Sequence, residues 1–188
     1  SKPIDRKSIN KAMTKEHRSG FISIIGKPNV GKSTLMNQLV GERLSIITSK
    51  AQTTRHRIMG IVNGETPDFD FQLVYSDTPG IIKPVYELHT AMMEFVHGSI
   101  EDGDVILFVT DIYEKYDEED VISKLRNCQS PVILVINKID LATEIQINEK
   151  IEHWKNILNP ELILSISAIN NVGVDNLLDN VVKRLPVH

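Results

Sequence analysis

The chain of 188 residues has a single cysteine, Cys128, and cannot close a disulfide on itself. A disulfide-stapled scaffold is therefore excluded, and the usage fits a reducing compartment. Cys128 reads as a small side chain near a helix end rather than a reactive thiol. One cysteine and six scattered histidines also lack the ligand spacing of a structural zinc site. No apolar run approaches the roughly 20 residues of a membrane-spanning helix, and the polar N-terminus shows no signal-peptide pattern, so a soluble, unsecreted domain is expected. Excess positive charge is missing too: 21 Lys and Arg against 25 Asp and Glu leave a net charge of -4. Nothing in that balance attracts nucleic acid generally, and any RNA contact must come from a local patch or from other chain. There is no internal repeat, no low-complexity tract and no sign of a second domain. With 41% apolar and 24% charged residues, the chain reads as one folded domain of ordinary size.

The first twenty residues, SKPIDRKSINKAMTKEHRSG, are rich in Lys and Arg and show no strand-forming alternation. They are read as a flexible N-terminal arm, of which residues 1–12, ahead of Met13, are either a natural extension or an added leader. From Phe21 onward, apolar runs bounded by turn signals alternate with stretches of helical period. FISIIG reads as a buried strand, and LMNQLVG as a helix ended by Gly41. RIMGIVNGE and FDFQLVYSD around ETPD predict a hairpin with one antiparallel strand. DVILFVTD, PVILVINK and LILSIS are further buried strands. EEDVISKLRN, TEIQINEKIEHWKNIL and VDNLLDNVVKRL have helical spacing, with Trp154 packing to the core. The expected architecture is an α/β domain over residues 21–185. It has three layers, α/β/α, around a six-stranded, mostly parallel sheet with one antiparallel strand.

After the first strand stands Gly26-Lys27-Pro28-Asn29-Val30-Gly31-Lys32-Ser33, a match to G-x-x-x-x-G-K-[ST] in the strand-to-helix context that the P-loop requires. Glycines let the backbone curl so that consecutive N–H groups face phosphates, and the helix that follows adds its positive dipole end. Lys32 supplies charge to the terminal phosphates, Ser33 a hydroxyl to magnesium, and Thr34 another donor to the phosphate chain. At the end of a later strand comes Asn137-Lys138-Ile139-Asp140, where strand ends face a ligand. The Asp140 carboxylate suits the N1–H and N2 amino groups of guanine; against adenine it meets a lone pair and no second donor. Asn137 can donate toward the guanine carbonyl or N7 and brace the loop. The Lys138 stem can cover one face of the base, and Ser167-Ala168 would close the pocket.

Asp77-Thr78-Pro79-Gly80 follows a third strand. This D-x-x-G can set Asp77 near magnesium and the Gly80 amide near a γ-phosphate, with Ile81 next in line. Upstream, Ala51-Gln52-Thr53-Thr54-Arg55-His56-Arg57 lies in a segment of no clear period. Thr54 is the candidate second hydroxyl ligand to magnesium, and Thr53 is the alternative. Both loops would tighten around GTP and relax once the γ-phosphate leaves. Lys50, Arg55, His56 and Arg57 are read as a solvated loop, and His89 and His97 as residues of a solvated helix.

In order, GKPNVGKS, AQTTRHR, DTPG, NKID and SA resemble the translation-factor-related GTPases, the TrmE-Era-EngA-like group. LVGERLSIITSKAQTTRHRIMGI is similar to the Era branch in particular, and the likeness spans about residues 20–185. The resemblance implies a magnesium-dependent GTPase that acts as a nucleotide-gated switch in small ribosomal subunit assembly and 16S rRNA maturation. It further implies a cytoplasmic, monomeric protein that associates peripherally with the inner membrane, and a second, RNA-binding KH domain. No GXXG loop of such a domain is in this sequence, so truncation is the expectation, and a departure from the family pattern is the alternative. Ras-like relatives carry a water-orienting glutamine where this chain has Ile81, which predicts slow intrinsic hydrolysis. A docking module that binds GTP and scarcely turns it over is the alternative. In relatives with asparagine at the position of Asn29, potassium binds beside the phosphates, and the resemblance extends that role to Asn29. The catalytic set is then Lys32, Thr54, Gly80 and Asn29.

Overall fold

The computed structural model describes residues 16–27, 29–40, 44–45, 57–65, 69–77, 96–116 and 118–187. In chain order the elements are β1 (Glu16–Ile25), α1 (Lys32–Val40), β2 (Leu44–Ser45), β3 (Arg57–Glu65), β4 (Phe69–Asp77), helical residues 96–102, β5 (Val105–Asp111), α2 (Glu119–Asn127), β6 (Val132–Asn137), a 3-10 turn (Ile139–Leu141), α3 (Glu144–Ile157), β7 (Leu162–Ser165) and α4 (Val174–Val182). Every residue of β5 and β6 is buried, as expected of strands covered on both faces.

The strand order is β2-β3-β4-β1-β5-β6-β7. Strands β4, β1, β5, β6 and β7 run parallel, and β3 returns antiparallel to β4. These are the six strands expected from the sequence. The two-residue β2 adds a seventh at the edge, through Leu44 opposite Val62 and Ser45 opposite Ile61. It is too short to show a period.

Strand β1 also begins earlier than its apolar pattern suggests. Glu16–Gly20, expected in the arm, pair with Phe69–Leu73 of β4. On their other side the Ser19 amide donates to the Pro186 carbonyl at 3.1 Å, and the Arg18 guanidinium donates to the carbonyls of Lys183 and Leu185. These partners are distant in sequence, and no local alternation announces them.

Alternation along the central strands sends side chains to two cores. Val105, Leu107 and Val109 join Ile133, Val135 and the inner residues of α1 and α4 on one face. Ile106 and Phe108 join Leu134, Ile136 and the inner residues of α2 and α3 on the other, where the fully buried Trp154 meets the Phe108 ring edge-on at 5.3 Å. Helix α3 opens with a complete capping box between Thr143 and Gln146. His97, expected on a solvated helix, instead has a buried Nε2 with no hydrogen-bond partner among the described residues.

The parallel register aligns the carboxyl ends of five strands at one edge. Asp77 lies beside Ile24, Asp111 beside Asn137, and Ser165 beside Ile136, while Arg57 begins β3 next to Asp77. In open α/β sheets that edge is where ligands bind.

Candidate functional site

The chain leaves β1 through Gly26 and turns tightly past β5; a Cβ on Gly26 would lie 2.5 Å from the Val109 carbonyl oxygen. A side chain there would force the turn away from the sheet. Asn29 has φ 55° and Gly31 φ 90°, both in the left-handed region. Glycine takes that conformation freely and asparagine tolerates it better than most residues. The Gly31 carbonyl accepts from the Leu35 amide at 3.0 Å, so α1 starts directly out of the curl, with Lys32 as its first residue. Lys32 is buried, at 8% exposure, while Ser33 and Thr34 in the same turn are exposed. A helix N-terminus, a lysine and two hydroxyls thus meet at the sheet edge, an arrangement suited to a polyphosphate.

The second half of the site is joined to this loop by side chains from β6. Asn137, 3% exposed, donates from Nδ2 to the Val30 carbonyl at 2.9 Å and accepts at Oδ1 from the Ala168 amide at 2.9 Å. One amide group therefore holds the phosphate loop and the loop after β7 together, with one N–H left over. Lys138, at φ 66°, sends its ammonium to the Asn29 carbonyl at 2.5 Å and to the Asp111 carboxylate at 2.9 Å. Asp140 sits in the 3-10 turn, and the Ser167 hydroxyl donates to its Oδ1 at 2.8 Å. Between them lies a cavity of about 260 Å³ lined by Gly31, Thr34, Asn137, Lys138, Asp140, Leu141 and Ile169. A larger cavity of about 530 Å³, between Ile112–Tyr116 and α3, contains none of the motif residues. Volume alone does not select the site; the converging polar groups do.

The electrostatics follow from these contacts. Burial alone would raise the Asp111 carboxyl, but hydrogen bonds from Lys138 and from the amides of Tyr113 and Glu114 outweigh it and hold the group below the ordinary aspartate range. Glu114 moves the other way. Burial pushes its carboxyl up, against the Thr110 hydroxyl that donates to it at 2.9 Å and the nearby charge of Lys27. The Lys27 ammonium lies over the Tyr116 ring, 5.1 Å from its centroid. Cys128 caps α2, and burial pushes its thiol up, in keeping with a structural residue.

Of the residues singled out in the sequence, Gly26, Lys27, Asn29, Val30, Gly31, Lys32, Ser33, Thr34, Asn137, Lys138, Ile139, Asp140, Ser167 and Ala168 belong to these connected loops. Asp77 ends β4 at the same sheet edge. Pro28, Thr53, Thr54, Thr78, Pro79, Gly80 and Ile81 lie outside the described residues. Sequence reasoning missed Asp111, Tyr116, Leu141 and Ile169. Only Asp111 left a signal, a charged residue closing an otherwise uncharged buried strand opposite Asn137.

Residues 21–138 match the family described as 50S ribosome-binding GTPase. The chain belongs to this GTPase family. It is 39% identical to GTPase Era of Staphylococcus haemolyticus over 173 residues, which are 91% of this chain and 56% of that protein. It also resembles the crystal structure of an Era variant from Aquifex aeolicus bound to GDP.AlF4-. That match has 38% identity and a TM-score of 0.67, and covers 90% of this chain and 57% of that one. Era in complex with MgGDPNP and nucleotides 1506-1542 of 16S ribosomal RNA matches with 38% identity and a TM-score of 0.66, over 90% of this chain and 58% of that one. The chain thus spans little more than half the length of these relatives.

Proposed function

We propose that the chain binds GTP and GDP, hydrolyses GTP slowly, and serves as a nucleotide-dependent switch in small ribosomal subunit assembly and 16S rRNA maturation. The observation that carries this reading is Asn137, whose one amide joins the phosphate loop at Val30 to the loop after β7 at Ala168. Asp140, held by Ser167, faces the cavity between them and would accept from the guanine N1–H and N2 amino groups. Lys32 and the backbone amides of residues 29–33 would take the phosphates.

The donors present fit magnesium. Ser33 exposes a hydroxyl in the first turn of α1, and Asp77 ends β4 beside the start of the loop. These two, with Thr54, would hold the ion, which when bound neutralises charge on the phosphates. Lys32 would stabilise charge that develops in the transition state. Gly80 would sense the γ-phosphate, while Ile81 offers no polar atom to orient water; slow intrinsic turnover follows. Asn29 would place a potassium ion beside the phosphates.

Era relatives bound to a transition-state mimic and to 16S rRNA support the hydrolytic and ribosomal parts of this reading. RNA contact would fall chiefly to the part of the relatives' length that this chain does not span. A cytoplasmic monomer with peripheral association at the inner membrane completes the proposal.

The deciding measurement is displacement of fluorescent GDP from the purified chain, with magnesium present, by GTP, GDP or ATP. Both guanine nucleotides should compete and ATP should not; equal competition by ATP would remove the base-reading argument. Phosphate release in potassium and in sodium, with and without small subunits, then examines turnover. Equal rates in the two cations would discard the role given to Asn29. No release under any of these conditions would favour the docking module that Ile81 suggests.

A further inference from the structure

Asp111 ends β5, beside Asn137 in register, and is 6% exposed. A carboxylate taken that far from water must be paired. Its two oxygens do different work. Oδ1 accepts from the amides of Tyr113 and Glu114, each at 2.8 Å, and closes the turn that follows the strand. Oδ2 faces the Lys138 ammonium at 2.9 Å, and the same ammonium donates to the Asn29 carbonyl at 2.5 Å. Lys138 and Asn29 have φ values of 66° and 55°, left-handed backbone that is costly for lysine and better tolerated by asparagine. Two left-handed residues, one in the base-reading loop and one in the phosphate loop, are thus joined by one ammonium on a flexible stem. What keeps that ammonium from turning out to solvent is the buried carboxylate behind it.

We propose that Asp111 is a positioning residue for nucleotide retention: it pins the Lys138 ammonium on the Asn29 carbonyl, so that the phosphate loop and the base-reading loop cannot open independently. The inference rests on the nucleotide-binding reading above. A nucleotide bridging the two loops leaves once either one opens. The clasp therefore slows dissociation and leaves association nearly untouched.

Release of fluorescent GDP, chased with excess unlabelled GDP, tests this. Asp111→Asn keeps the shape and the acceptor for the two amides but loses the charge toward Lys138. Release should be about tenfold faster, with the nucleotide-free unfolding temperature within about 3 °C of wild type. Asp111→Glu, which keeps the charge, should stay within about twofold. In a Lys138→Met background, which retains the stem without the ammonium, Asp111→Asn should add nothing.

Wild-type release from Asp111→Asn would overturn the clasp, as would an equal acceleration with and without the ammonium. If Asp111→Asn does not fold, Asp111→Ser replaces it: faster release that vanishes in the Lys138→Met background supports the proposal, and wild-type release overturns it. Wild-type protein that binds no GDP at all would instead contradict the nucleotide reading.

Discussion

Asp140→Asn should convert a guanine site into a xanthine site. In the structure the Ser167 hydroxyl donates to Oδ1 of Asp140 at 2.8 Å and thereby orients the carboxylate. Asparagine can keep that acceptor with its carbonyl oxygen, which places an NH2 group where the second carboxylate oxygen stood. Toward guanine, this NH2 meets the N2 amino group, donor against donor. Toward xanthine it meets a carbonyl, and the pairing is restored. A site built around a hydrogen bond rejects the mismatched partner strongly, because the groups left unpaired are desolvated. GDP affinity is expected to fall by about three orders of magnitude, and xanthosine diphosphate to bind more tightly than GDP. Competition of both against a fluorescent nucleotide on the variant measures this. Retention of guanine preference would mean that Asp140 does not read the base.

The parts of this site that were legible in the sequence are those whose chemistry is contiguous. Gly26 to Ser33 and Asn137 to Asp140 declare themselves because loop, charge and hydroxyl follow one another at fixed offsets, each after a buried strand. What joins them is not contiguous. Asn137 reaches Val30 across 107 positions, and Lys138 reaches Asn29 across 109. The sequence suggested that Asn137 braces its loop but not what it holds. Asp111 and Tyr116 escaped notice for the same reason: each acts through a partner, Lys138 or Lys27, that only the sheet order brings near.

At fold level the central strands were plain from their unbroken apolar runs, whereas the start of β1 was not. Glu16–Gly20 are held by β4 and by carbonyls near the far end of the chain, so their strand character lies in tertiary pairing and not in composition. The segments around Thr54 and Gly80, read from the sequence as switches, lie outside the described residues, and that reading stands on sequence order.

Gly31→Ala should abolish tight nucleotide binding through geometry alone, since it changes no charge and removes no hydrogen-bonding group. At φ 90° an alanine is strained, by about 1–2 kcal/mol for left-handed backbone. The larger effect is where the methyl would go: it overlaps Nδ2 of Asn137, the nitrogen that donates to the Val30 carbonyl at 2.9 Å. To make room, either the loop must uncurl or Asn137 must swing away and release both Val30 and the Ala168 amide. Each of those buried bonds is worth about 1 kcal/mol net, and a partner left unsatisfied costs more. Together with the strain this predicts at least a hundredfold loss of GDP affinity. Gly64→Ala provides the contrast. Its methyl would press on the buried Phe71 ring near the hairpin end of β3, at the opposite end of the strand from Arg57, so it should lower the unfolding temperature while sparing GDP affinity. Titration of both variants with fluorescent GDP separates the cases. Wild-type affinity in Gly31→Ala would show that the brace between Asn137 and the phosphate loop is dispensable.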